Sequence, residues 1–261
     1  MNHQFAVNLS TIFTEVPFIE RFAKARDAGF TTVECQFPYE HSVEEIQQEL
    51  ELNCLQLALI NLPPGDWQNG DRGITVDPNR MDEFKKSVKV GIQYAVALNV
   101  KNIHCMAGIG TNLESKLAKD TFLKNLHYAA TEMEKHGITI LIEPINLYDI
   151  PGYYLNNLQQ AVEIITLLDR PNLKMQFDFY HIQRIHGDPL PYFIENRDLI
   201  GHVQIADNPG RHEPGTGKMD YASIFSFLEE RYSGYIGLEY LPLKGSKASF
   251  EWLNKIAIGG R

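Results

Sequence analysis

The feature that most constrains this chain is a repeated switch of hydrophobic period. Short β-branched or apolar runs alternate with longer amphipathic runs eight times in 261 residues. The pattern predicts strands over 5–10, 31–36, 56–61, 102–107, 139–146, 173–180, 201–206 and 235–240. It predicts helices over 16–28, 43–52, 81–98, 116–135, 158–168, 192–196, 222–230 and 247–255. Eight β-then-α units match a (β/α)8 TIM barrel in length and order. An open doubly wound sheet is the alternative. It more often has fewer strands, with a Gly-rich fingerprint after the first, which this sequence lacks. No linker, repeat or low-complexity segment interrupts the series, so residues 1–261 read as a single barrel domain.

A barrel gathers the C-terminal ends of its strands at one mouth, so polar residues at those ends are the first place to look for chemistry. The fifth strand closes on Ile142-Glu143-Pro144, and Pro144 cannot donate to a ladder, which leaves Glu143 at the rim. The sixth carries Asp178 in the corresponding place, and the eighth ends in Glu239. In the seventh, Ile200-Gly201-His202-Val203-Gln204-Ile205, the alternation puts Val203 and Ile205 on one face and His202 and Gln204 on the other. Buried polar groups without partners cost free energy, so His202 and Gln204 need some. Any one of the rim residues is as readily an isolated, satisfied group. Acids and an amide ending consecutive strands favour a shared site. Clustered without a cation, the acids would repel and raise one another's pKa values. A hard divalent ion, Mg²⁺ or Mn²⁺, suits such a set of oxygens.

Around this centre lie candidate substrate contacts. His181 follows the sixth strand. Arg211 sits in the Gly- and Pro-rich loop 208–217, where its planar fork suits a carboxylate or polyol, and Glu213 is placed to orient it or to cap the next turn. Asn8, Glu34, Asn61 and His104 lie in or near the ends of early strands; Glu34 in particular is an acid in a buried strand and needs a partner. The long loop 63–73 follows the third strand on the same face, and Trp67 within it reads as a lid over the site.

Composition narrows the partners. Lys and Arg number 24 against 33 Asp and Glu, a net charge of −9, which opposes a phosphate backbone as ligand and leaves a small-molecule substrate. Three scattered cysteines, Cys35, Cys54 and Cys105, form no disulfide framework and read as thiols of a reducing cytoplasm. No apolar stretch is long enough to span a bilayer, and no signal peptide is evident, so a cytoplasmic protein without a membrane partner is expected. A homo-oligomer is left open.

The segments 6–10, 37–39, 61–67, 142–146 and the whole of 201–217 resemble hydroxypyruvate isomerases, a family of xylose isomerase-like TIM barrels. The resemblance covers about residues 5–253 and is most specific over 201–217. It implies metal ligation by Glu143, Asp178, Gln204 and Glu239, with Glu143 and Glu239 as the acid/base pair. It implies substrate contacts at His181 and Arg211, and a short 2-oxo hydroxy acid as substrate. The sister 2-oxo-tetronate isomerases share the stretch 14–22 with this chain. Gln204 stands where many barrel relatives have His, which favours Mg²⁺ or Mn²⁺ over zinc. A sugar epimerase or dehydratase on the same barrel, and a non-catalytic sugar-acid binding protein, are the rival readings. A metal-dependent endonuclease would need more His ligands and a basic face.

Overall fold

The computed structural model describes residues 4–110 and 115–258. Its strands are β1 (Gln4–Asn8), β2 (Thr32–Glu34), β3 (Gln56–Leu57), β4 (Leu59–Asn61), β5 (Asn102–His104), β6 (Thr139–Ile142), β7 (Leu173–Asp178), β8 (Ile200–Ile205) and β9 (Tyr235–Leu238). They pair in the order β3-β2-β1-β9-β8-β7-β6-β5-β4, every pair parallel. Only Ala58 separates β3 from β4, so the two are halves of one strand that pairs on both sides. Val33 is in register with Leu57, and Ile60 with Ile103. Cys35 N–H donates to the Leu59 carbonyl at 3.2 Å and Asn61 N–H to that of Gln36 at 2.8 Å, which closes the sheet. The eight predicted strands are therefore all present, as a TIM barrel.

The helices are α1 (Glu20–Asp27), α2 (Val43–Leu52), α3 (Met81–Ala97), α4 (Lys116–Glu134), α5 (Leu158–Leu168), α6 (Phe179–His186), α7 (Leu190–Asn196), α8 (Tyr221–Arg231) and α9 (Glu251–Ile258). Local chemistry sets their starts. Ser42 and Glu45 form a reciprocal capping box on α2, and the side chains of Ser115, Asn157 and Asp220 cap α4, α5 and α8.

Several boundaries differ from expectation, among them the start of α1 at Glu20 rather than 16 and the end of β5 at His104 rather than 107. The strand predicted over 173–180 stops at Asp178, whose Oδ1 accepts from Tyr180 N–H at 2.9 Å and starts α6. The run Phe179-Tyr180-His181-Ile182 has strand-like composition, and one N-cap overrides it. The strand predicted over 139–146 ends at Ile142, ahead of Pro144. The helix predicted over 247–255 is a short 3₁₀ turn, Ala248–Phe250, followed by α9.

Strand alternation divides core from site. In β7, Met175 and Phe177 join the hydrophobic core, with Phe177 edge-on to Phe179 and Phe193, while Gln176 and Asp178 fall on the other face. The loop 63–73 is seated firmly on the barrel. Gly73 N–H donates to the Pro64 carbonyl at 3.0 Å, and a Cβ on Gly73 would lie 2.3 Å from the Met106 carbonyl oxygen. With φ at +95° as well, the position demands glycine.

Candidate active site

The strand ends converge on a cavity of about 220 Å³ whose lining includes Asn61, Trp67, Arg72, His104, Glu143, His181, Arg211 and Glu239. Two wider hollows, of about 570 and 580 Å³, lie around Cys54 and Gln56, and none of these acids reaches them.

The acids are buried and crowded. Glu143 Oε2 accepts from Gln176 Nε2 at 3.0 Å and lies 3.6 Å from His104 Nε2; its Oε1 has no hydrogen-bond partner. Asp178 spends Oδ1 on the α6 cap, leaving Oδ2 likewise without one. Glu239 Oε1 accepts from Gln36 Nε2 at 2.7 Å and from Asn8 Nδ2 at 3.2 Å, and its Oε2 accepts from Arg211 Nη2 at 2.8 Å. The same guanidinium nitrogen is 3.5 Å from Asp178 Oδ2, and Nη1 is 3.8 Å from Asp149. Arg211 is thus the counter-ion shared by three carboxylates.

The electrostatics follow. Burial, then the neighbouring Asp178 and Glu239, hold Glu143 well above the usual carboxylate range. Asp178 is pushed up to about 7, chiefly by burial, with Arg211 opposing the rise and Glu239 adding to it. Burial also raises Glu239, again against Arg211. Burial opposes the charge on Arg211 itself, yet Glu239, Asp178 and Glu143 outweigh it and strengthen its hold on the proton. Burial brings His104 down to about 3, helped by His202, and holds His181 well below the imidazole range, helped by Arg211. Both rings are neutral near pH 7.

The loop presenting Arg211 is organised by the fully buried Asp207. Its carboxylate accepts from the backbone N–H of Asn208, Gly215, Gly217 and Met219 at 2.8–3.2 Å. Arg211 adopts a φ of +57°, and its carbonyl accepts from Leu241 N–H at 2.7 Å. Glu213, expected to orient Arg211 or cap a turn, instead accepts from Leu243 N–H at 3.0 Å.

Beneath the cavity the polar groups form one chain across the barrel. Gln176 Nε2 donates to both Glu143 and the Gln204 oxygen (2.7 Å); Gln204 Nε2 donates to Glu34 at 2.7 Å; Asn8 Nδ2 bridges Glu34 and Glu239. His202 Nε2 meets Glu34 at 2.8 Å. Glu34 is therefore the partner that His202 and Gln204 needed, and they, with Asn8, are the partners that Glu34 needed. Its own position requires Gly237, since a Cβ there would lie 2.5 Å from both Glu34 oxygens.

Of the expected metal ligands, Glu143 and Asp178 sit with bare oxygens side by side, while Gln204 is engaged by Gln176 and Glu34, and Glu239 by Arg211. The compact donor group is Glu143, Asp178 and His181, with one atom from each within 4.8 Å of the others. Two buried carboxylate oxygens without hydrogen-bond partners beside an imidazole nitrogen fit a divalent ion, so this group can hold one. Of the expected substrate contacts, Asn61, Trp67, His104, His181 and Arg211 line the cavity. Asn8 does not; it lies under Glu239. Trp67 rests on Phe37, ring centroids 5.0 Å apart, and remains 37% exposed.

Sequence reasoning passed over Gln36, Asn146, Asp149, Gln176 and Arg72. Asn146 Nδ2 is 2.6 Å from His181 Nδ1 and fixes that ring. Gln176 carried a usable signal, because it lies two residues before Asp178 and so on the same strand face. Asp149 and Arg72 sit in loops, where no periodicity speaks.

A closed parallel barrel with this acid-lined mouth defines the class, and the family model for "Xylose isomerase-like TIM barrel" matches residues 22–256. The chain belongs to the xylose isomerase-like TIM barrel family. It is 43% identical to a hydroxypyruvate isomerase of Escherichia coli over 253 residues, covering 96% of this chain and 98% of that one. It is 40% identical to a 2-oxo-tetronate isomerase of Cupriavidus necator, covering 96% and 97%. A crystal structure described as AP endonuclease, family 2, from Brucella melitensis superposes with a TM-score of 0.95 at 40% identity, covering 97% of this chain and 99% of that one. With isomerases aligned along almost its whole length, the protein is an enzyme of isomerase type. No helix among the described residues is long and apolar enough to cross a membrane.

Proposed function

We propose that the protein interconverts hydroxypyruvate and 2-hydroxy-3-oxopropanoate, with Glu143 and Glu239 as the acid/base pair. The observation that carries this reading is two buried carboxylates, following β6 and β9, that line one small cavity, with Arg211 paired to Glu239 beside them. One glutamate takes a proton from C3 of hydroxypyruvate, and the other delivers a proton to C2. The hydroxyl proton at C3 passes to the C2 oxygen, so the product is an aldehyde beside a secondary alcohol and no redox partner is consumed. Neutral His104, whose Nε2 is buried without a hydrogen-bond partner, offers a hydrogen bond to a substrate oxygen in the same cavity.

Glu143, Asp178 and His181 would hold a divalent ion, Mn²⁺ or Mg²⁺, with Gln204 and Glu239 next to them. When bound, such an ion supplies Lewis-acid stabilisation of the developing enediolate oxygens. For Glu239 to contribute, it must release Arg211.

The cavity of about 220 Å³, lined by Phe37, Ile145 and Ile150 as well as the acids, suits a short acid of three or four carbons, and the higher identity to a hydroxypyruvate isomerase, 43% against 40%, puts the three-carbon acid first. The 40% identity to a 2-oxo-tetronate isomerase keeps that four-carbon acid as the second reading. A nucleic-acid substrate fits poorly: the net charge is −9, and Arg211 is surrounded by carboxylates. Incubating the protein with Mn²⁺ and each 2-oxo acid in turn, with NMR detection of the aldehyde product, tests the assignment. Glu143→Gln and Glu239→Gln should each lower turnover by about 10²- to 10⁴-fold. Near-normal turnover in both would overturn the acid/base roles.

A further inference from the structure

We propose that Arg72 is the carboxylate anchor that makes this barrel specific for 2-oxo acids. The inference rests on the isomerase reading above and adds the residue that recognises the acid group. It begins from a charge imbalance. Glu143, Asp149 and Glu239 line the cavity with Asp178 beside them, and an anionic substrate entering among four carboxylates is repelled unless a cation receives it. Arg211 was the sequence-based choice for that task, but its charge is already shared among Glu239, Asp178 and Asp149 at 2.8–3.8 Å.

Arg72 is the other cation lining the cavity. Among the described residues it has no carboxylate partner. Its nearest acid in the chain, Asp71, is taken by Arg80 Nη1 at 2.7 Å and by Asp66 N–H at 2.6 Å. The guanidinium carbon of Arg72 lies 3.9 Å from the ring centroid of Trp67, and Nη1 donates to the carbonyls of Asp71 at 2.7 Å and Trp67 at 3.2 Å. Those bonds occupy one nitrogen, and the Nε and Nη2 donors have no protein acceptor among the described residues. That pair is the edge of a guanidinium that grips a carboxylate with two parallel hydrogen bonds. The fork is also fixed in advance. Gly73, next in the chain, is locked against the Met106 carbonyl, and Trp67 covers one guanidinium face. Little side-chain freedom is then lost on binding.

With the substrate's carboxylate at Arg72, its 2-oxo and 3-hydroxy carbons are left for Glu143 and Glu239, which line the same cavity. A neutral sugar lacks the group that this fork receives, so Arg72 separates a 2-oxo acid isomerase from a sugar epimerase on the same barrel.

The test compares the wild type with Arg72→Gln and Arg72→Lys. The arginine is half-exposed in a surface loop, and circular dichroism checks that each variant folds. For hydroxypyruvate, Arg72→Gln should raise KM about 10- to 100-fold with a much smaller change in kcat, and Arg72→Lys should recover part of the loss. Pyruvate, which has the carboxylate but no 3-hydroxyl to isomerise, is the second probe. Ligand-observed NMR titration of the metal-free protein should show its Kd weakened by a similar factor in Arg72→Gln. If the wild type turns over hydroxypyruvate and neither KM nor pyruvate Kd moves, the anchor lies elsewhere and the proposal fails. If the wild type isomerises no 2-oxo acid, the isomerase reading fails, and the pyruvate titration still decides Arg72: unchanged Kd overturns it, weakened Kd upholds it.

Discussion

Replacing Arg211 with Gln tests the electrostatic account of the site most directly. The guanidinium makes a 2.8 Å ion pair with Glu239 and stands 3.5 Å from Asp178 and 3.8 Å from Asp149; the side chains of Arg211, Glu239 and Asp178 are 24%, 6% and 0% exposed. Removing one partner of a fully buried pair costs about 3–5 kcal/mol, because the remaining charge is left without compensation. Two effects reduce this here. Water reaches part of the arginine, and Asp178 and Glu239, whose pKa values are already raised, can take up protons. A loss of about 2–3 kcal/mol is expected in the metal-free protein, or a Tm about 4–12 °C lower for a chain of this size. The assay is thermal and urea unfolding of wild type and Arg211→Gln, in EDTA and in saturating Mn²⁺. If a divalent ion occupies the same acids, it replaces the missing charge, and the gap between the two proteins should shrink by at least half. Equal stability in EDTA, or a gap indifferent to Mn²⁺, would refute the assignment of Arg211 as counter-ion to this cluster.

Further outcomes follow from the same geometry. Asp178 binds its proton more tightly folded (about 7) than unfolded (about 4), so ionising it costs native stability as pH rises between those values. Asp178→Asn, which can still cap α6, should therefore gain on the wild type by up to about 1.4 kcal/mol per pH unit from pH 4 to 7 in EDTA, read from urea midpoints; a constant difference would contradict the raised pKa. Glu34→Ala leaves buried donors on His202, Gln204 and Asn8 without an acceptor and should cost more than about 3 kcal/mol of stability in urea unfolding. Trp67→Ala removes the surfaces under Phe37 and Arg72 from a partly exposed loop residue; hydroxypyruvate KM should rise several-fold while Tm moves by less than about 3 °C.

The barrel was legible because strand and helix periods alternate over the whole chain, and a closed parallel sheet is the economical way to bury eight such units. The mouth acids were legible for a related reason: Glu143, Asp178 and Glu239 each end an apolar run, where burial without purpose would be penalised. What stayed hidden depended on side-chain direction rather than spacing. Nothing in the chain marks Glu34 as the acceptor for His202 and Gln204, because β2 and β8 are not neighbours in the sheet and reach each other only across the barrel interior. The start of α6 was masked by four residues of strand-like composition after Asp178. Arg72 and Asp149 were invisible because their placement comes from loop packing, Gly73 against Met106 and Asn146 bonding the backbone N–H of Tyr148 and Asp149, which leaves no periodic trace.

The amide chain beneath the cavity has an evolutionary corollary. Gln176, Gln204 and Asn8 each have a fixed sense, set by an acid at both termini and one midway. Exchanging a single member for one of opposite polarity leaves two donors or two acceptors face to face, and because an acid stands at each end and midway, turning the remaining amides only carries the mismatch to the next acid. Lineages that alter this floor should therefore change several of these positions together, much as a row of dominoes is relaid from one end rather than mended in the middle.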